Sequence, residues 1–316
     1  MKRELKIIFM GTPDFAVGVL EALIAADFNV AAVVTAPDKP AGRGRKPMES
    51  AVKKYAQNKN IPLLQPINLK EDGFLQDLRN YNANVFVVVA FRMLPRVVWE
   101  IPEYGTFNLH ASLLPEYRGA APINWTIING EVKTGVTTFF IDENIDTGAI
   151  IEQKEIDIAE NETAETLHDK LMKIGGDLVV SSLKAIAANK IVPKKQSEFK
   201  KLKAAPKLTP ENTRIDWNQE TEKVERLIRG LSPFPAAWTM MVNGTDDLRV
   251  KIFQVKIMEG EKSGAPGDLI QDKKRLFVNL PDGKLELLEI QLPGKKRMSV
   301  RDLLNGYSFS DNAHFY

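Results

Sequence analysis

The chain has no cysteine and only three histidines among 316 residues. The first absence excludes disulfides, thiolate metal ligation and a cysteine nucleophile together. With His110, His168 and His314 as the only imidazoles, a histidine-rich metal centre is not expected either, and no metal is expected. No apolar run reaches the length of a membrane span. Leu5–Met10, interrupted by Lys6, is too short even for a signal-peptide core, so a cytoplasmic protein is expected. Two active-site signatures are missing too. Gly11-Thr12-Pro13 lacks the Gly-x-Gly-x-x-Gly spacing, which leaves a tight strand–helix turn in place of a nicotinamide site. Ser112 is followed by Leu-Leu-Pro and not by a helix start, so it is no nucleophile elbow and covalent serine catalysis is not expected. Cations and anions nearly balance, 43 against 41, so net charge by itself selects no partner.

What is present is ordinary globular material, 44% hydrophobic and 27% charged, in a chain longer than one core usually supports. Through the first two-thirds, short β-branched runs alternate with longer helical patterns, the signature of an α/β, mostly parallel sheet covered by helices. Strands are predicted at Leu5–Met10, Asn29–Thr35, Val85–Ala90 and Thr106–His110, with a further pair at Thr134–Ile141 and Ile150–Ile158. Helices are predicted at Phe15–Ala26, Glu49–Asn60 and Thr163–Ala188, the last with Leu167, Leu171, Ile174, Leu178 and Leu183 on one face. A basic linker follows over 190–208, crowded with Lys190, Lys194, Lys195, Lys200, Lys201, Lys203 and Lys207. Beyond it come a helix near Glu220–Gly230 and short strands at Ala237–Val242, Leu248–Lys256, Gly267–Gln271, Arg275–Val278 and Lys284–Gln291. Their glycine-punctuated spacing predicts a smaller OB-like β-barrel. The expected division is therefore 1–189, 190–208 and 209–316. Trp125, Trp217 and Trp238 read as packing residues, and His168 and His314 as incidental.

The chemistry concentrates between Phe107 and Gly148. Asn108 and His110 stand two apart at a strand end, so their side chains share a face. Asp146 lies in the loop joining the next two strands and can fold back over the same edge. An amide, an imidazole and a carboxylate suit transfer of an acyl group to an amine. An α-amino group, with a reference pKa of roughly 7.7–8.0, must lose a proton before it attacks. The carbonyl oxygen it attacks needs hydrogen-bond donors as the carbon becomes tetrahedral. With no covalent nucleophile in view, direct transfer fits better. Each of the three residues alone is more often a turn-former or a satisfied polar side chain.

Asn108-x-His110-x-Ser112-Leu113-Leu114-Pro115 followed by Asp146-Thr147-Gly148 resembles the folate-dependent formyltransferases. Further stretches resemble the branch of that family acting on initiator Met-tRNA. They are Phe9 to Phe15, Pro37 to Lys46, Tyr117 to Ile123, Ala204 with Pro206-Lys207-Leu208, Ile215-Asp216-Trp217 and Pro293-Gly294-Lys295-Lys296. The resemblance covers nearly the whole chain. It implies the formyltransferase fold, 10-formyltetrahydrofolate as co-substrate and the methionine α-amino group on tRNA as acceptor. It implies catalytic roles for Asn108, His110 and Asp146: oxyanion stabilisation by the first two, orientation of His110 and proton removal by the third. Ser112, Leu113, Leu114 and Pro115 would line the folate site. Ala90-Phe91-Arg92-Met93-Leu94-Pro95 departs from the family's Tyr-Gly-x-x-Leu-Pro pattern, being more basic, and is expected to reshape the wall around the pterin ring.

The Asp38–Lys46 loop carries Lys39, Arg43, Arg45 and Lys46 among two glycines. As chemistry, such a loop suits phosphate contact; as structure alone, it is a solvated surface loop. The resemblance implies that Arg43, Arg45 and Lys46 meet the tRNA acceptor stem. Lys295-Lys296-Arg297 and the lysine-rich linker offer a second basic surface. A monomer is expected. The nearest rival is a formyltransferase for a nucleotide-linked amino sugar, against which the basic loop weighs. A formyltetrahydrofolate hydrolase and a tRNA-binding module with a vestigial site are weaker rivals.

Overall fold

Lys6–Gly11 forms the middle of the larger sheet because its apolar run pairs in parallel on both edges, with Asn29–Val34 on one side and Val85–Val89 on the other. Every residue of Val85–Val89 is buried, as a strand covered on both faces must be. In this computed structural model, residues 3–41, 46–197, 202–259 and 264–316 are described, the side chains of 39–41 and 46–47 excepted. The seven-stranded sheet runs Ile150–Asp157, Lys133–Phe140, Thr106–His110, Val85–Val89, Lys6–Gly11, Asn29–Val34, Leu63–Leu64. Pairing is parallel from Thr106–His110 through Leu63–Leu64, and Lys133–Phe140 joins it antiparallel. Strand order therefore turns back between Lys6–Gly11 and Val85–Val89. Ligands of such sheets bind beyond the carboxyl ends of the strands at that reversal.

The helix Ala164–Ala187 buries the expected face, with Leu167, Leu171, Leu178 and Leu183 enclosed and Ile174 partly so. Its close seat depends on adjacent glycines. A Cβ at Gly175 would come within 2.7 Å of the Leu109 side chain, and one at Gly176 within 2.9 Å of Ala22 Cβ. Leu109 lies between Asn108 and His110, so this packing buries the opposite face of the strand that presents them.

Several elements have no clear periodic signal in the sequence. Asp72–Asn80, Arg96–Trp99 and Pro122–Ile128 are helices, and Lys39–Ala41 pairs antiparallel with Lys46–Met48 as a hairpin. The predicted helix 49–60 begins later, at Ala51, because Ser50 caps it by accepting the Lys53 N–H at 3.0 Å.

Contacts divide the chain into two units: 1–119, 133–156 and 168–204 in the first, 120–132, 157–167 and 205–316 in the second. The second holds the antiparallel strands Ala237–Asn243, Asp246–Met258, Leu269–Asp272, Arg275–Leu280 and Gly283–Gln291, with the short strands Met298–Ser299 and His314–Phe315. Asp268 bridges His314, bringing the two ends of the sheet together into a nearly closed, OB-like barrel. Its core comprises residues such as Met241, Val250, Ile252, Val278, Leu287 and Ile290. Trp217 stacks on Phe315 at 5.1 Å and donates to Thr239 Oγ1 at 2.9 Å, a packing role that also satisfies its indole N–H. The second unit also recruits Pro122–Ile128, whose Asn124 amide donates to Gly230 O in the helix Thr221–Leu231.

Candidate active site

The site lies wholly within the first unit. Thr106–His110 pairs with Val85–Val89 on one edge and Lys133–Phe140 on the other, so Asn108 is held opposite Val88 and Phe139, and His110 opposite Thr137. Both occupy alternate positions at the carboxyl end of the strand, as predicted. The Asn108 side chain is half-buried and makes no hydrogen bond to any described residue. An amide left open at a strand end is a donor available to a ligand oxygen.

His110 is buried, and its ring is fixed by a backbone group. Nε2 lies 2.8 Å from Tyr117 O. A carbonyl only accepts, so Nε2 carries the proton and donates. Nδ1 then faces Asp146 Oδ2 at 3.7 Å, too long for a direct hydrogen bond and within ion-pair range. The Asp146 carboxylate is itself held by the Gly119 N–H, which donates to Oδ2 at 2.9 Å. Tyr117 and Gly119, two residues apart in one short loop, thus fix the imidazole and the carboxylate separately. A backbone carbonyl and a backbone N–H leave no mark in a sequence pattern.

The Asp146 loop is firmly built. Asp146 adopts a left-handed conformation, φ 56°, which aspartate tolerates better than most residues. Asp142 Oδ1 accepts from Asn144 N at 3.0 Å and from Thr147 Oγ1 at 2.7 Å. Gly148 passes so close to the neighbouring strand that a Cβ there would lie 1.7 Å from Phe140 O. Gln196, buried and distant in sequence, donates to the carbonyls of Asp146 and Gly148 at 2.9 and 2.8 Å.

Ser112, Leu113, Leu114 and Pro115 run directly on from the strand. The Ser112 hydroxyl donates to Glu116 O at 2.7 Å, closing the loop on itself. Thr137 Oγ1 donates to Ser112 O at 2.7 Å and accepts from Leu114 N at 3.1 Å, while Gln153 donates to Leu114 O at 2.9 Å. Leu114 is enclosed, and Leu113 and Pro115 are partly accessible. The polar atoms of this segment brace the backbone, leaving the latter two side chains as the surface available to a ligand.

Arg92 marks the departure from the family pattern. Its guanidinium donates to Ile67 O at 2.9 Å and to Pro66 O, tying two loops together beside the switch point. Arg43 and Arg45 lie outside the described residues, and Lys46 is described by its backbone in the hairpin alone. The base of that hairpin is anchored. Lys53 donates to Asp38, Gln65 donates to Asp38 at 2.9 Å, and these bonds hold the Asp38 carboxyl below its ordinary range.

Part of the predicted basic linker is built into this unit. Lys194 exchanges two backbone hydrogen bonds with Ile150, each 2.8 Å, on the edge strand of the sheet. Lys203 O accepts from Tyr117 N at 2.7 Å. Linker residues therefore brace both loops of the site.

Residues 5–183 match the formyl transferase family, and 207–308 match the formyl transferase C-terminal domain. The methionyl-tRNA formyltransferase of Flavobacterium johnsoniae is 54% identical over 313 residues, covering 99% of both chains. Among solved structures, HypX from Aquifex aeolicus in complex with tetrahydrofolic acid superposes with a TM-score of 0.66 at 17% identity over 96% of this chain and 47% of its own. The sugar 3N-formyltransferase WlaRD superposes with a TM-score of 0.64 at 21% identity over 93% of this chain and 100% of its own. These two distant likenesses concern the fold, which is the α/β formyltransferase fold with an OB-like second unit. Identity at this level along almost the whole length places the chain in the formyl transferase family, among the methionyl-tRNA formyltransferases.

Proposed function

We propose that the chain transfers the formyl group of 10-formyltetrahydrofolate directly to the α-amino group of methionine carried by initiator tRNA, giving formyl-Met-tRNA for translation initiation. The observation that carries the reading is the open Asn108 amide beside a His110–Asp146 pair, at the switch-point end of the sheet, in a chain of this family. The amine attacks the formyl carbon, and the carbonyl oxygen gathers negative charge as the carbon becomes tetrahedral. Asn108 is placed to donate to that oxygen; His110, whose Nε2–H is held by Tyr117 O, joins it as second donor when Nδ1 also carries a proton. Asp146, its carboxylate steadied by Gly119 N–H, receives the proton shed by the amine, directly or through water, and keeps His110 in register. Collapse of the tetrahedral species returns the electron pair to the tetrahydrofolate nitrogen, which takes up a proton.

Ser112, Leu113, Leu114 and Pro115 form the folate wall in this reading, and Arg43, Arg45 and Lys46 meet the acceptor stem. Residues 1–189 serve as the catalytic region, 190–208 as the basic linker and 209–316 as a tRNA-binding barrel. The enzyme works in the cytoplasm as a monomer; among the described residues no helix is long and apolar enough to cross a membrane. The test is direct. Purified protein is given 10-formyltetrahydrofolate with Met-tRNA or with a nucleotide-linked amino sugar, and the formylated product is identified. Formyl-Met-tRNA is expected; exclusive formylation of the sugar overturns the acceptor assignment.

A further inference from the structure

Gln196 is an uncharged side chain in the lysine-rich stretch, yet it is almost completely enclosed. Every hydrogen-bonding valence of its amide is used. Nε2 donates to Asp146 O and Gly148 O, at 2.9 and 2.8 Å. Oε1 accepts from Arg118, at 2.6 Å from Nη2 and 3.2 Å from Nε. The network also fixes which end of the amide is which, because arginine can only donate and carbonyls can only accept.

Its partners flank the reacting groups. Asp146 and Gly148 belong to the loop that presents the carboxylate, and Arg118 stands between Tyr117 and Gly119. Those two neighbours supply the carbonyl that holds His110 and the N–H that holds Asp146. One amide therefore ties the two loops together, beside the direct bond from Gly119 N–H to Asp146 Oδ2, on either side of the 3.7 Å separation of His110 and Asp146.

We propose that Gln196 is a positioning residue for formyl transfer, locking the Asp146 loop to the Arg118 loop so that carboxylate and imidazole keep their working distance. The proposal rests on the formyl-transfer reading of the site. Lys194, paired to the edge strand at Ile150, delivers Gln196 to this position from outside the motif-bearing segments. Gln196 touches no reacting atom; it acts through Asp146.

Two variants of the full chain separate this role from general stability. Gln196→Glu keeps size and strengthens the Arg118 contact, but sets a carboxylate against two carbonyl oxygens. Gln196→Met keeps shape and removes both sets of bonds. In single-turnover formyl transfer to Met-tRNA, a misplaced loop should lower the rate about tenfold or more, with KM for both substrates little changed. Amide hydrogen exchange of 142–148 should accelerate ahead of the rest of the sheet. A loss expressed in KM with the single-turnover rate unchanged, or unchanged exchange in 142–148 in both variants, overturns the positioning role. If Gln196→Glu does not fold, Gln196→Met decides. If the wild-type chain formylates nothing, the functional reading fails, while the exchange comparison still judges the clamp.

Discussion

Asp146 stands in the left-handed region of backbone space with its carboxylate on a backbone N–H, two features that point one short side chain at one place. If that carboxylate removes the amine proton, Asp146→Asn should lower single-turnover formyl transfer by about 10²-fold or more, since general-base contributions run to that size. The amide is isosteric and can still accept from Gly119, so melting should change little. Undiminished transfer would remove Asp146 from the chemistry. Two residues on, Gly148 is constrained by space. A methyl group there meets Phe140 O at 1.7 Å, so Gly148→Ala must push the loop from the strand. Destabilisation of about 1–3 kcal/mol is expected from forced overpacking of this kind. Activity should fall further than stability alone accounts for, because the same displacement carries Asp146 away from His110. Denaturant unfolding paired with single-turnover rates checks both parts.

At the scale of the element, the helix Thr221–Leu231 takes its N-terminal cap from another part of the chain. Glu220 provides no side-chain cap; Asp282, in the tight turn before Gly283–Gln291, accepts from Thr221 N at 2.9 Å and Thr221 Oγ1 at 2.7 Å. The Thr221 hydroxyl, and next its N–H, hold the Asp282 carboxyl below the ordinary aspartate value. A group with a depressed folded pKa contributes its stability above its unfolded pKa, about 3.9, and loses it as pH falls through the lower folded value. Asp282→Ala should therefore destabilise the second unit near neutrality by about the 1 kcal/mol typical of a lost cap. The difference from wild type should shrink as pH drops below about 4. Melting curves of both proteins across that range test this, and a gap independent of pH would show that the charge is not what caps the helix. The strand Thr106–His110 illustrates the complementary case, in which the alternation of side chains on a pleated backbone is enough to place Asn108 and His110 together.

For the molecule as a whole, formylation of a tRNA requires polyanion docking as well as chemistry. Contact between cationic side chains and phosphates releases counterions, so tRNA affinity should fall steeply with salt, on a linear log–log plot, while folate binding changes much less. Equal, shallow slopes would remove electrostatic docking by the hairpin and basic patches. Parallel titrations of both ligands between low and physiological salt provide the measurement.

Much of this arrangement is legible in the sequence. Apolar runs at Leu5–Met10 and Val85–Ala90 announce buried parallel strands, the leucine spacing from Leu167 to Leu183 announces the covering helix, and glycine-punctuated short strands announce the barrel. Asn108, His110 and Asp146 stand out because polar residues crowd a strand end and the loop that returns to it. Periodicity and local composition suffice for these, since each follows from interactions between near neighbours in the chain. The tertiary structure decided the rest. Tyr117 O and Gly119 N–H hold the imidazole and the carboxylate with backbone atoms, which every residue type but proline supplies. Gln196 reaches Asp146 across 50 positions, from a stretch whose lysines mark it as solvated linker. The sequence by itself picked out an amide, an imidazole and a carboxylate; only the folded chain determined what holds the last two 3.7 Å apart, because that distance is set by hydrogen bonds between residues far apart in the chain.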